Sequence, residues 1–399
     1  MLSLGFPTES VKEGTAELLV PKLDAFKQKK EDYAPSKAPV FYNPRMKLNR
    51  DIAILVLQAY QRILNRDIYV AEPLAGCGVR GIRFAKEVVG IYTVLLNDIN
   101  PEACRLAELN AYRNNTSRLV SISNHDANFF LSQYAAPYKR LDYVDIDPFG
   151  SPVPYLDSAI RALRDGGMLA LTATDLAPLC GVYPKAALRK YGGLPLRTEY
   201  CHEIAVRLLS GCLAVTAAKH DIAVNILFSH STDHYIRVYA SLHHGARKAD
   251  KSIQNMGFIL HCFTCFHREI SQGTFLSSTG RCSECGAPLK AAGPLWLGNI
   301  AERRFCERVE QAMTDRRFDL GKRVVKTVIS VKEESDAPIT YYVVDKICDK
   351  LGIPVPPLKR VIENLKKKGF QALPTHFHSR GVKTDAASSK VIEAIKTAL

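Results

Sequence analysis

The chain has 399 residues, 47% of them hydrophobic, enough for two or three domains of roughly 100–200 residues with cores of their own, which excludes a disordered tail or a disulfide-stapled miniprotein. Its 54 Lys+Arg against 40 Asp+Glu leave a net charge of +14, so polyanionic partners, nucleic acid first, are expected. No apolar run approaches the roughly 18 residues of a membrane span, and Met1-Leu2-Ser3-Leu4-Gly5 lacks the pattern of a signal peptide, so a cytoplasmic protein without membrane association is expected, its 11 cysteines serving as thiols or metal ligands.

The first 66 residues read as an N-terminal extension. From residue 67 to about 242, short β-branched runs alternate with amphipathic stretches, the pattern of a sheet wound with crossover helices. The predicted strands are 68–72, 93–97, 119–123, 143–146, 168–172 and 223–229, and the longest predicted helix is roughly 198–219. Tyr235-Ile236-Arg237-Val238-Tyr239-Ala240-Ser241-Leu242 follows the last of these strands too closely for a crossover helix, so the two must pair as a hairpin. An antiparallel final strand on an otherwise parallel sheet belongs to class I methyltransferases and not to nicotinamide-binding domains.

A cysteine-rich segment occupies 261–286, and Gly293-Pro294-Leu295-Trp296-Leu297-Gly298 reads as a turn-rich connection into a helical tail. Residues 301–399 carry 20 Lys+Arg against 13 Asp+Glu, a surplus of 7 and so half of the +14. In that tail Pro357 opens a helix with Leu358, Val361, Ile362 and Leu365 on one face, Lys359, Arg360, Lys366, Lys367 and Lys368 on the other, and Gly369 at the C-cap. A helix predicted over 341–351 before it and a ribbon over 369–383 after it suggest a winged helix. Phe370, His376, Phe377 and His378, interleaved with the cations of 358–383, suit contact with RNA, and Lys185, Arg189 and Lys190 in the loop 176–193 suit a second wall of the same groove.

Three motifs carry chemistry. Glu72-Pro73-Leu74-Ala75-Gly76-Cys77-Gly78-Val79-Arg80-Gly81 is a glycine-rich turn after the first strand, where bare backbone can approach a ligand; a plain tight turn is the competing reading, with Cys77 as a small residue in it. Asp98, 22 residues after Gly76, stands where a carboxylate accepts both hydroxyls of an adenosine ribose, its alternative role being the N-cap before Pro101. Asp126, with the Ala127 backbone, is placed to meet an adenine ring, and again a helix cap is the alternative.

Asp145-Ile146-Asp147-Pro148-Phe149-Gly150 ends the fourth strand, where open α/β sheets place their sites. Alternation buries one aspartate and presents the other, which is read as Asp147. An exocyclic amine is a poor nucleophile because its lone pair is delocalised into the ring. Asp147 and the Pro148 carbonyl could accept its N–H bonds while Phe149 stacks on the base. The third motif is Cys262-x-x-Cys265 with Cys282-x-x-Cys285, separated by 16 residues, the spacing of a zinc ribbon. Four sulfur ligands leave no open position, so a structural Zn2+ is expected there. His261 and His267 are not needed as ligands, and the remaining cysteines are read as small apolar residues.

Phe41-Tyr42-Asn43-Pro44-Arg45-Met46, Asn49-Arg50-Asp51, Gly78-Val79-Arg80-Gly81, residues 145–150, Thr172-Ala173-Thr174-Asp175, Ala177-Pro178-Leu179-Cys180-Gly181, Gly293–Gly298 in sequence and Thr375-His376-Phe377 together resemble the tRNA guanine-N2 dimethyltransferase family, nearly end to end. The resemblance implies dimethylation of guanine 26 of tRNA with S-adenosyl-L-methionine as methyl donor. It implies Arg50, Arg80, Asp98, Asp126 and Ala127 as cofactor positions, Asp147 as the catalytic carboxylate, and Phe41 and Phe149 flanking base or cofactor. The expected organisation is an α/β class I (Rossmann-like) methyltransferase domain over 1–250 and a C-terminal tRNA-binding domain over 251–399, with the zinc ribbon at 258–290 and the winged-helix-like basic region after it. No obligate protein partner is evident. The alternatives are an exocyclic-amine methyltransferase acting on another RNA or DNA position, and a zinc-ribbon and winged-helix nucleic-acid binding protein without activity.

Overall fold

The computed structural model describes residues 4–27, 34–276, 280–316 and 319–399, so Met1–Ser3 of the N-terminal reading and 277–279 of the zinc-ribbon segment lie outside it. The chain forms two compact units: Met1–Pro148 with Pro154–Leu171 and Glu307–Val328, and Phe149–Val153 with Thr172–Cys306 and Ile329–Leu399.

The first unit opens with the hairpin β1 (Thr8–Glu13) and β2 (Ala16–Pro21), then α1 (Lys47–Leu64). Strand and helix alternate from there: β3 (Ile68–Glu72), α2 (Val79–Glu87), β4 (Ile91–Asn97), α3 (Pro101–Arg113), β5 (Val120–Ser123), α4 (Ala127–Ser132), β6 (Leu141–Ile146), α5 (Leu156–Ala162) and β7 (Leu163–Ala173). β5, β4, β3, β6 and β7 pair in parallel in that order. All six residues of β6 are buried, as expected of a central parallel strand covered on both faces. Helix starts follow local chemistry. Asn100 caps α3 through Glu102 N–H with Pro101 at the first turn, and Asp126 caps α4 through the N–H groups of Asn128 and Phe129.

The second unit continues with α6 (Leu176–Leu179), α7 (Pro184–Tyr191), α8 (Cys201–Ala218), and the antiparallel hairpin β8 (Ile222–Thr232) and β9 (Tyr235–His244). The seven-stranded order is β5-β4-β3-β6-β7-β9-β8, so the predicted closing hairpin is present and the sheet is a mixed one of the Rossmann-like methyltransferase type. α8 has 18 residues, as does α1. By length and composition α8 could cross a membrane, which corrects the expectation that no run approaches that length. It is 67% buried inside the fold, lies against β8 and the segment Lys290–Trp296, and carries the buried pair Glu203–Arg207 at 2.8 Å.

After α9 (Ala246–Ile253), β10 (Met256–His261) pairs on one side with β11 (Arg268–Gln272) and on the other with β12 (Lys290–Trp296). Gly293 to Trp296 are thus strand, not a turn-rich connection. The run reads as a turn in sequence because of its Gly293-Pro294 pair, and in the sheet the register slips between Gly257 and Ile259. A bulge is one of the few places a sheet admits proline. The chain ends with α10 (Arg303–Thr314), α11 (Lys322–Glu333), β13 (Tyr342–Val343), α12 (Val344–Leu351), α13 (Leu358–Lys367), β14 (Ala372–Pro374), β15 (Gly381–Thr384) and α14 (Ser388–Thr397). The sheet order there is β13-β15-β14, and Val344, Ile347, Val361, Leu365, Val382 and Val391 share one core. Gly369 at φ +86° follows the Lys368 C-cap of α13, where a side chain would resist the left-handed turn.

Candidate functional site

Strand β3 ends in Glu72, and the chain then turns through Gly76 (φ +54°) and Gly78 (φ +75°) into α2. A Cβ on Gly76 would come 3.2 Å from the Phe41 carbonyl, so Phe41 is laid against the turn by its backbone. Asp98, at the end of β4, accepts Gly76 N–H at 2.7 Å with one oxygen and Asn100 N–H at 2.9 Å with the other. It stiffens the turn and does not cap α3, since Asn100 does. Asn97 ties the strand ends together, donating to the Pro73 and His125 carbonyls at 3.0 and 2.9 Å and accepting His125 N–H. Asp126 is exposed and uses one oxygen in capping α4, while Ala127 is buried. Burial pushes the Cys77 thiol up to about 12, as befits a packing residue.

The central feature is a cluster around Arg80, which is 3% exposed. Its Nη1 donates to Asp145 at 2.8 Å, its Nη2 to Asp147, and its Nε faces Glu72 at 3.4 Å. Asp145 is fully buried and also accepts the Tyr143 hydroxyl at 2.8 Å, whereas the Asp147 side chain keeps 18% exposure. Alternation does not separate the two aspartates, which lie two residues apart on one face and both meet Arg80; Asp145 is buried because it lies inside β6, and Asp147 is presented because it stands just past the end of the strand at Ile146. Burial pushes the Glu72 carboxyl up to about 8, offset by Arg80 and reinforced by Asp145 and Asp147, and the Gly81 N–H donates to it at 3.0 Å. Sequence reasoning misses Glu72; its signal is a carboxylate at the end of a buried strand, with Arg80 eight residues on.

Arg50 donates through Nε and Nη2 to both oxygens of Glu13, at 2.8 and 2.5 Å, and through Nη2 to the Asn43 carbonyl at 3.1 Å. Burial raises the Glu13 carboxyl, but the Arg50 and Arg83 cations win and hold it low. In the second unit Phe149 is 71% exposed, and the turn at Gly150 is fastened to Thr174 by two hydrogen bonds, Gly150 N–H to Oγ1 at 2.8 Å and Thr174 N–H to the Gly150 carbonyl at 2.9 Å. Asp175 next to it accepts from Lys190 and Tyr191.

The four paired cysteines converge: Cys262 and Cys285 sulfurs lie 3.4 Å apart, Cys265 and Cys282 3.5 Å, and all four within 4.8 Å of one another. Each Cys-x-x-Cys closes in the same way, Phe266 N–H to the Cys262 carbonyl and Gly286 N–H to the Cys282 carbonyl, both at 2.9 Å and both at positive φ. Such a set can hold one metal ion.

On the basic tail the outcome divides. Lys359, Arg360, Lys366, Lys367 and Lys368 are exposed, but Lys383 is buried against Glu203 at 2.8 Å. Phe377 is buried and stacked on Tyr341, Phe370 packs on the core, and His376 bonds Glu334. These three rings are packing groups and do not form the RNA-facing set expected of them; His378 is half-buried.

The chain matches the N2,N2-dimethylguanosine tRNA methyltransferase family over residues 14–396. It is 39% identical over 392 residues to the tRNA (guanine(26)-N(2))-dimethyltransferase of Methanobrevibacter smithii, covering 98% of each chain. It is 35% identical to the tRNA (guanine(26)-N(2)/guanine(27)-N(2))-dimethyltransferase of Aquifex aeolicus, covering 97% of this chain and 96% of that one. Among solved structures it is similar to Trm1 from Pyrococcus horikoshii in complex with S-adenosyl-L-methionine, at a TM-score of 0.84 and 34% identity, covering 97% and 99% of the two chains.

Proposed function

The chain belongs to the N2,N2-dimethylguanosine tRNA methyltransferase family, and from that premise we propose a residue-level account of how it dimethylates guanine 26 of tRNA at N2 with S-adenosyl-L-methionine. The observation that carries it is the aspartate pair at the end of β6, Asp145 buried inside the strand under Arg80 and Asp147 presented just past its carboxyl end.

The donor set suits the cofactor. Asp98 has lone pairs beyond the two N–H groups it accepts, enough for ribose hydroxyls. The Nη1 amino group of Arg50 suits the methionine carboxylate, Asp126 and the Ala127 backbone the adenine edge, and Phe41 the wall beside the glycine turn. When bound, S-adenosyl-L-methionine supplies an electrophilic methyl whose C–S bond breaks with the electron pair left on sulfur. Asp147 and the Pro148 carbonyl accept the two N–H bonds of guanine N2 and fix its lone pair in line, and Phe149 stacks on the base. Asp147 takes the proton that N2 loses and passes it to solvent through its exposed edge. After one transfer the substituted amine turns about its C–N bond, and its remaining N–H meets Asp147 again. Arg80, engaged by Asp145 and Asp147, acts on the cofactor side chiefly by holding Asp147 in place.

Cys262, Cys265, Cys282 and Cys285 are assigned a structural Zn2+: the donor set is closed, so the ion would order the two knuckles and take no part in transfer. Residues 1–250 are assigned the transfer and 251–399 tRNA binding, with β13, α12, α13 and the β14–β15 ribbon as the winged-helix-like element. The thiol-rich composition suits the cytoplasm. Purified protein incubated with S-adenosyl-L-methionine and a tRNA transcript bearing guanine 26 is expected to yield N2,N2-dimethylguanosine there. A guanine 26→adenine transcript that still yielded it would contradict the site assignment.

A further inference from the structure

Cys180, the C-cap residue of α6, and Cys201-His202, which open α8, carry no chemistry that sequence alone reveals. In the structure their ligand atoms lie within 4.8 Å of one another, and the Cys180 and Cys201 thiols hydrogen-bond to each other. All three side chains are half-buried. They come from two segments 20 residues apart, separated by α7. We propose that these residues form a second metal site, a Cys2His set for a thiophilic divalent ion such as Zn2+, distinct from the four-cysteine cluster.

The chemistry favours an ion over a chance contact. Two thiols and an imidazole are the ligand types that a borderline-soft d10 cation prefers, and a tetrahedral ion at about 2.3 Å from sulfur and 2.0–2.1 Å from nitrogen bridges ligands about 3.5–3.8 Å apart, within small rotamer shifts of the distances present. The half-buried site leaves the fourth position to water. On binding, each thiol gives its proton to solvent and becomes a thiolate ligand. The consequence is local. Thr174 holds the Gly150 turn, Asp175 holds Lys190 and Tyr191, and Cys180 lies five residues beyond Asp175. An ion on Cys180 would tie the start of this 176–193 segment to the first turn of α8 without touching any residue assigned to transfer.

The test counts metal, so it stands or falls separately from the transfer assignment. Full-length protein purified under reducing conditions is analysed for zinc by mass spectrometry, then titrated with Co2+ while the thiolate charge-transfer and d–d bands are followed. Wild type is expected to hold two equivalents. The double variant Cys180→Ser, His202→Ala should hold one, with the spectrum of a four-sulfur site. If that variant does not fold by circular dichroism, His202→Gln alone, which keeps both thiols, should weaken the second equivalent tenfold or more. A single equivalent in wild type, two equivalents untouched by a folded double variant, an affinity unchanged in His202→Gln, or a Cys180–Cys201 disulfide in place of the second ion would overturn the proposal.

Discussion

Arg80 does at residue scale what no single carboxylate could do. Its planar guanidinium bonds Asp145 and Asp147 at once, which an ammonium cannot copy. Arg80→Lys is therefore expected to lower kcat by on the order of 10²-fold with little change in KM for tRNA, because a displaced Asp147 misaligns the amine without altering how RNA is held. Steady-state kinetics on both substrates check this, and an unchanged kcat would contradict the positioning role. Glu72 gives a pH signature. Its carboxyl is raised in the fold to about 8, from an ordinary value near 4.5. Between those two values the folded chain holds a proton that the unfolded chain has released, so stability falls as pH rises through that window. Glu72→Gln removes the cost of ionising a buried acid, and its melting temperature is expected to fall less than that of wild type between pH 5 and 8. Parallel melting curves of wild type and variant would refute the shift.

At the scale of elements, α13 and β15 separate lysines that look alike in sequence. Lys366, Lys367 and Lys368 are exposed at the end of α13, whereas Lys383 on β15 lies buried against Glu203 on α8. Burial raises the Glu203 carboxyl, yet Lys383 and Arg207 overcome it and hold it at about 2. Replacing Lys366, Lys367 and Lys368 by alanine is expected to weaken tRNA binding and flatten its salt dependence, by about one unit of slope for each phosphate that is no longer neutralised. Lys383→Ala should leave the slope alone and destabilise the fold by about 1–3 kcal/mol, since it takes one of two cations from the buried Glu203 and leaves Arg207 to hold it. Filter binding across a salt series and denaturant melts distinguish the two. The same contrast explains what sequence could reveal. β3 was legible at 68–72 because its β-branched run is bounded by polar turns, and the β8–β9 hairpin because no crossover fits between its strands. α1 was not, since residues 48–60 are buried all round and include Asn49, Arg50 and Asp51, so neither an apolar stripe nor a polar face shows. β12 was hidden by the Gly293-Pro294 pair that its bulge admits. The inward turn of His376 and Phe377 depends on Glu334 and Tyr341, partners distant in sequence.

Across the whole molecule, the sheet order β5-β4-β3-β6-β7-β9-β8 brings the glycine turn, Asp98, Asp126 and Asp147 to the carboxyl ends of parallel strands. The motif at 145–150 was legible because a buried strand runs into Pro148 and Gly150, so the aspartate past the strand end is the one presented. The Arg80 cluster was not, because it is assembled from two strand ends and a helix. The measurement that bears most directly on the transfer assignment is nucleoside mass spectrometry of tRNA incubated with S-adenosyl-L-methionine and either wild type or Asp147→Asn. That variant preserves shape and leaves Arg80 paired with Asp145. The expected result is N2-methyl- and then N2,N2-dimethylguanosine with wild type, and neither with Asp147→Asn, although the variant still binds the cofactor by calorimetry. Undiminished dimethylguanosine from Asp147→Asn would contradict the role given to Asp147.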